Sequence, residues 1–134
     1  MKGDQLNTVE LADSIEACYT GGVVQWSADG STFFSACGNY IKTMNVDDGK
    51  QSYTIGSEDE DGLRVSAFVL SQDDEASIVV AYTNGLLRNY RLPVSPSTSP
   101  DILRQWKSTH KAPVLVMRFE NCLLATGSAD FYVK

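Results

Sequence analysis

Three short segments of the chain, residues 38–42 (GNYIK), 84–88 (NGLLR) and 130–134 (DFYVK), begin 46 residues apart both times. A fixed interval of that size is the strongest constraint the sequence carries. Each repeated unit is too small to bury its own apolar face, so neighbouring units must stack and share one core.

Within the interval the apolar residues alternate with polar ones, which argues strands over helices. In the first unit the strand segments are residues 23–26 (VVQW), 33–37 (FFSAC) and 40–46 (YIKTMNV), with SADGS between the first two. The second unit runs through residues 66–71 (SAFVLS), a polar QDDE turn at 72–75, then 77–82 (SIVVAY) and 86–92 (LLRNYRL). The third carries 114–119 (VLVMRF) and 123–130 (LLATGSAD). Strict alternation in VLVMRF places Val114, Val116 and Arg118 on one face and Leu115, Met117 and Phe119 on the other. Residues 101–107 fit either a helical turn or the outer strand of a sheet, and in both cases Trp106 packs its ring against the sheet. The expected fold is all-β. A strand-rich repeat near 40–45 residues is the pattern of a propeller blade, so the units are expected at about 10–50, 51–100 and 101–134, as three incomplete four-stranded blades.

The third unit resembles the WD-repeat family. His110 stands where that family places its Gly-His, and Val114, Phe119, Gly127, Ser128 and Asp130 fall on matching positions. The second unit resembles it through Asn84-Gly85 at the turn and Tyr90 at the aromatic position. The first departs furthest, with Met44 at that position and no Asp at its turn. The resemblance implies a hydrogen-bonded tetrad whose members here would be His110, Ser128 and Asp130, with a Trp two residues beyond Lys134. His110 is the single histidine of the chain, so no second imidazole is present to build a metal or catalytic pair with it, and a structural role is expected. Propellers close with roughly four to eight blades. Three units do not close, and the sequence is expected to be the opening arc of a longer ring.

Apolar residues make up 43% of the chain and charged residues 21%, a globular balance. Acidic groups interrupt residues 1–20, where a secretory signal would need an apolar core. The longest apolar run is far short of a membrane span. Three widely spaced cysteines, Cys18, Cys37 and Cys122, contain no CxxC pair, and buried thiols in a reducing compartment are expected.

Charge is distributed unevenly. Residues 1–83 hold 4 Lys or Arg against 14 Asp or Glu, and residues 84–134 hold 7 against 3. The acidic SEDED segment at 57–61 is expected to be a solvated loop. Arg88, Arg91, Arg104, Lys107 and Lys111, with Arg118, are candidates for contact with RNA phosphate or an acidic partner, although dispersed surface charge is the favoured account of them. Residues 93–100 (PVSPSTSP) read as an exposed connection, and its Ser95-Pro96 and Ser99-Pro100 dipeptides suit proline-directed phosphorylation.

No P-loop, GxSxG, HExxH or strand-linked GxGxxG occurs, and the aspartates at 29, 47, 48, 73 and 74 suit turns. An enzyme is not expected, nor is a cofactor, a metal, a small-molecule substrate or a membrane partner. Residues 14–22 (SIEACYTGG) and 104–119 (RQWKSTHKAPVLVMRF) resemble, more narrowly, WD-repeat proteins of the small-subunit processome. That likeness implies a nucleolar scaffold that supports pre-rRNA processing. Its partners would be other WD-repeat proteins and the particle holding pre-rRNA and box C/D snoRNA. Two alternatives remain: a WD-repeat adaptor of another complex, such as a ubiquitin-ligase receptor or signalling scaffold, and a hydrolase or lyase on a different propeller.

Overall fold

The structure, a computed structural model, describes residue 9 and residues 22–56, 62–71, 76–95 and 98–134. Residues 14–21 of SIEACYTGG with Cys18, the SEDED segment, the QDDE turn and Pro96 lie outside the described residues. Among the described residues there are ten strands and no helix. In the first sheet β1 (Val24–Trp26), β2 (Thr32–Cys37), β3 (Tyr40–Asn45) and β4 (Gln51–Ile55) lie side by side in chain order. The second repeats the plan with β5 (Val65–Ser71), β6 (Ser77–Tyr82), β7 (Leu86–Arg91) and β8 (Asp101–Lys107). A third pairs β9 (Val114–Glu120) with β10 (Leu123–Ser128). All strand pairs are antiparallel.

The 46-residue interval recurs in the fold. Strands β3 and β7 begin at Tyr40 and Leu86, and Val133, 46 residues after Leu87, bridges Gly127 as a third strand starts along β10. Residues 101–107 settle as the outer strand of the second sheet, because β7 supplies a partner along their whole length. The half-buried Trp106 ring packs on the core. Strand β4 had no strand assignment from sequence; its only signal is the alternation of Tyr53 and Ile55 with polar neighbours. The first strands after residues 50 and 100 both pair with the sheet that precedes them.

Burial explains which residue types fill each strand. All six residues of β6 are buried, because the second sheet has a neighbour on each side, and SIVVAY is accordingly almost continuously apolar. At its start strand β10 is paired with β9 alone, and Leu123 stays 74% exposed. The shared core comprises Phe34, Ile41 and Ile55 from the first sheet, Phe68, Ile78, Val80, Tyr82 and Leu87 from the second, and Val114 and Met117 from the third. Each such side chain contributes roughly 1.5–3 kcal/mol through burial.

The expected alternation of β9 fails, for a local reason. A register shift pairs Gly127 with Val116 but Ser128 with Val114, so Leu115 is an extra residue and the strand changes face there. Val114 and Met117 are therefore the buried pair, and Leu115 and Val116 are both exposed. The cysteine expectation also needs correction. Cys37 is buried, whereas Cys122 is exposed, because it occupies a two-residue turn where Asn121 and Cys122 both take positive φ, 51° and 60°.

Two substitutions follow from comparing repeats. Phe131 holds a φ of 69° and is 98% exposed, whereas Gly85 fills the same place one repeat earlier at φ 87°. A left-handed backbone costs an ordinary side chain about 1–2 kcal/mol, partly offset by the extra freedom Gly brings to the unfolded chain. Phe131→Gly should raise the urea midpoint by the equivalent of roughly 0.5–1 kcal/mol; a lower midpoint would show that the ring has a packing role. Register also shifts at Thr43 and at Asn89, again 46 residues apart. The Thr43 hydroxyl donates to Tyr53 O at 2.6 Å and accepts from Tyr53 N at 3.0 Å. Asn89 Oδ1 is buried with no hydrogen-bond partner among the described residues. Asn89→Thr should therefore stabilise by about 1 kcal/mol, measured as a shift in thermal midpoint of the purified variant.

Candidate functional site

A buried polar cluster joins the β8–β9 connection to the end of β10. His110 has a side chain only 1% exposed, and Asp130 one 9% exposed. The imidazole Nδ1 lies 3.1 and 3.0 Å from the two Asp130 oxygens, and Nε2 lies 2.8 Å from Thr126 Oγ1. A carboxylate can only accept, so Nδ1–H donates to Asp130, and the Nε2 of the neutral ring accepts from the Thr126 hydroxyl. Asp130 also accepts from Lys111 N at 2.9 Å and Tyr132 N at 3.0 Å. One carboxylate thus ties the incoming connection, the imidazole and the outgoing turn together.

Of the three residues drawn from the resemblance, the structure joins His110 and Asp130 directly. Thr126, not Ser128, supplies the hydroxyl on the ring. Ser128 serves the turn: its Oγ donates to Ala112 O at 2.9 Å and accepts from Asp130 N at 3.2 Å. The reason is strand alternation. Thr126 faces inward at 8% exposure, and Ser128 sits two residues on, past the register shift, over the chain entering β9. The missed signal was the repeat, because Thr126 stands 46 residues after the buried Val80, and Val80 46 after Phe34.

The array resembles an acid–imidazole–hydroxyl relay, but its hydroxyl is buried, with Lys134 O 3.4 Å from Thr126 Oγ1. It acts as a clamp. The second repeat solves the same problem differently: Val80 offers no hydroxyl, and the hydroxyls of Tyr82 and Tyr90 meet at 2.9 Å instead. Burial, followed by the Tyr90 contact, pushes the Tyr82 hydroxyl well above the usual tyrosine range. Asn84 still does the turn work of Asp130, accepting from Leu86 N at 2.9 Å.

For Asp130, burial pushes the carboxyl up, but the N–H groups of Lys111 and Tyr132 and the His110 ring outweigh it and bring it from 3.8 down to about 2. A carboxyl lower in the folded than in the unfolded state contributes stability that is complete above pH 4 and lost as pH falls through about 2. Asp29 is also held at about 2, by the Ser27 hydroxyl first and then Ser31. Asp130→Asn should therefore flatten, without abolishing, the loss of stability between pH 4 and pH 2. Denaturation curves at several pH values check this, and an unchanged profile would remove Asp130 from the account.

The basic candidates do not form a single patch. Arg88 is half-buried: its Nε donates to Gln105 Oε1 at 2.8 Å, its Nη1 to the Tyr90 hydroxyl at 3.3 Å, and it lies 5.6 Å from the Tyr82 ring centre. Arg104, on the opposite face of the second sheet, is exposed and lies 5.3 Å from the Trp106 ring centre. Arg91 is exposed opposite Asp101. Lys107 donates to Asn84 O at 3.2 Å, and Lys111 is exposed on the connection leaving β8. Arg88 and Arg91 stand on β7, and Arg104 and Lys107 on the outer strand β8. On the inner side, β1, β5 and β9 line a cavity of about 630 Å³ that includes Gln25, Trp26, Val69, Met117 and Arg118. No group of three or more His, Cys, Asp or Glu residues is placed to hold a metal among the described residues.

No family model matches the sequence, and no curated protein matches it. Solved structures do. The chain is similar to the RRP9 WD40 repeats, with a TM-score of 0.63 and 20% identity over 82% of this chain and 33% of that one. It is also similar to a chain of the mitotic checkpoint complex, with a TM-score of 0.61 and 24% identity over 80% of this chain and 31% of that one. Successive antiparallel sheets around an inner cavity, matched at this level, show that the chain is all-β with the fold of consecutive WD40 propeller blades, and that it spans about a third of the length of the structures it matches.

Proposed function

We propose that the chain is part of a non-catalytic scaffold of the nucleolar small-subunit processome, akin to that assembly's transducin-beta-like WD-repeat protein. In this reading it supports pre-rRNA processing and small-subunit biogenesis by holding other WD-repeat proteins, with local contact to the pre-rRNA and snoRNA particle. The observation that carries the scaffold part is the blade fold itself: rigid stacked sheets present loops and edges to several partners at once, and the polar cluster most like a catalytic relay is closed by burial. The processome assignment is supported by the resemblance of residues 14–22 and 104–119 and by the likeness to the RRP9 WD40 repeats. Contact with RNA would fall to Arg91, Arg104, Lys107 and Lys111, where charge acts on phosphate without reading bases.

Affinity purification of a tagged protein containing this chain tests the reading. Recovery of pre-rRNA, box C/D snoRNA and sister WD-repeat proteins is expected; a partner set devoid of them overturns the processome assignment and leaves the scaffold. A WD-repeat adaptor of a different complex is the second reading, favoured by the likeness to a chain of the mitotic checkpoint complex.

A further inference from the structure

The connection from β7 to β8 returns to the second sheet through Ser99-Pro100. Ser99 is exposed, and it lines a cleft of about 310 Å³ between the first two sheets, together with Thr54, Arg88, Tyr90, Pro100 and Ile102. Thr54 comes from β4 and the others from β7, β8 and the connection, so the cleft spans the inter-sheet boundary. Its cationic group is already oriented: Gln105, the Tyr90 hydroxyl and the Tyr82 ring hold the Arg88 guanidinium. A planar guanidinium matches phosphate oxygens with paired N–H donors, which an ammonium cannot do. Thr54 lines the same space from the first sheet. Pro100 has no N–H and biases Ser99 toward extended backbone, the shape that an acceptor presents to a kinase groove selective for a following proline.

We propose that Ser99 is a phosphorylation site for a proline-directed kinase, and that Arg88 holds the resulting phosphate and ties the connection to the cleft between the first and second sheets. In the transfer, Ser99 Oγ attacks the γ-phosphorus of ATP, the bond from that phosphorus to the β–γ bridging oxygen breaks, and ADP leaves. The hydroxyl proton passes to the base of the kinase. The product carries close to two negative charges and can form one to three charge-assisted hydrogen bonds. The inference is independent of the scaffold reading, because it concerns one cleft and not the partners of the protein.

The full chain, incubated with a purified proline-directed serine/threonine kinase and ATP, is analysed by intact mass, peptide mapping and thermal melting. A Ser95→Ala background removes the other Ser-Pro site. Phosphate is expected at Ser99 and absent in Ser99→Ala, with the midpoint raised on the order of 3 °C by phosphorylation. The rise should vanish in Arg88→Gln and shrink by more than half in Arg88→Lys, each compared with its own unphosphorylated form so that any basal destabilisation cancels. Failure to modify Ser99, an unchanged or lowered midpoint, or the same rise in Arg88→Gln each overturns the proposal.

Discussion

Phe68→Ala is expected to cost about 3–5 kcal/mol, as large aromatic truncations in closed cores do. Phe68 is 1% exposed on the inner strand of the second sheet. Across the strand pair it faces Val80, and its own carbonyl accepts from Gln25 Nε2 of the first sheet at 2.9 Å. Strand β5 also lies against β9 of the third sheet. Removing the ring leaves a void where three sheets converge, and close-packed surroundings relax into such a void only in part. With a total stability of about 5–15 kcal/mol for an ordinary domain, the variant should be largely unfolded at moderate urea. Phe33→Ala is the comparison. That ring is half-buried and packs edge-on to Trp26 at 5.2 Å, so it should cost less than half as much. Equal losses from the two substitutions would mean that the core is not centred where the structure puts it.

Thr126→Val should destabilise by roughly 1–3 kcal/mol although it preserves side-chain shape, because it strips the buried His110 Nε2 of its partner. The penalty belongs to the orphaned nitrogen more than to the lost bond. Thr126→Ser keeps a hydroxyl in reach and should recover most of the stability. The check is a urea titration in which the midpoint falls with an unchanged slope, paired with nitrogen chemical shifts of the imidazole, which report whether Nδ1 still carries its proton. A Val variant as stable as the parent would sink the clamp. Val80 occupies the corresponding place in the second repeat without penalty because no imidazole faces it; there Tyr82 and Tyr90 satisfy each other.

These two cases show why the repeats look unequal in sequence. The third unit keeps the His–Thr–Asp chemistry, the second replaces it with a tyrosine pair, and the first places Phe34, Gly38 and Met44 at the matching positions. Phe34 and Met44 are buried at 2% and 4%, so the first unit fills with apolar side chains the position that later units fill with hydrogen bonds. Geometry is conserved between units while its chemical support changes.

The all-β class, most of the strands and the 46-residue period could be read from residues alone, because side-chain alternation and turn residues act over a few positions and leave a local imprint. The meeting of His110 with Asp130 was implied by the resemblance of the third unit and not by its spacing alone. What only the tertiary structure decided depends on neighbours far apart in the chain. The outer-strand identity of residues 101–107 came from a partner strand, the burial of Met117 in place of Val116 from an extra residue in the pairing register, and the hydroxyl on the imidazole from which side of β10 meets the connection. Arg88 and Arg104, grouped together as basic candidates, were sent to opposite faces by the same alternation that made the strands legible.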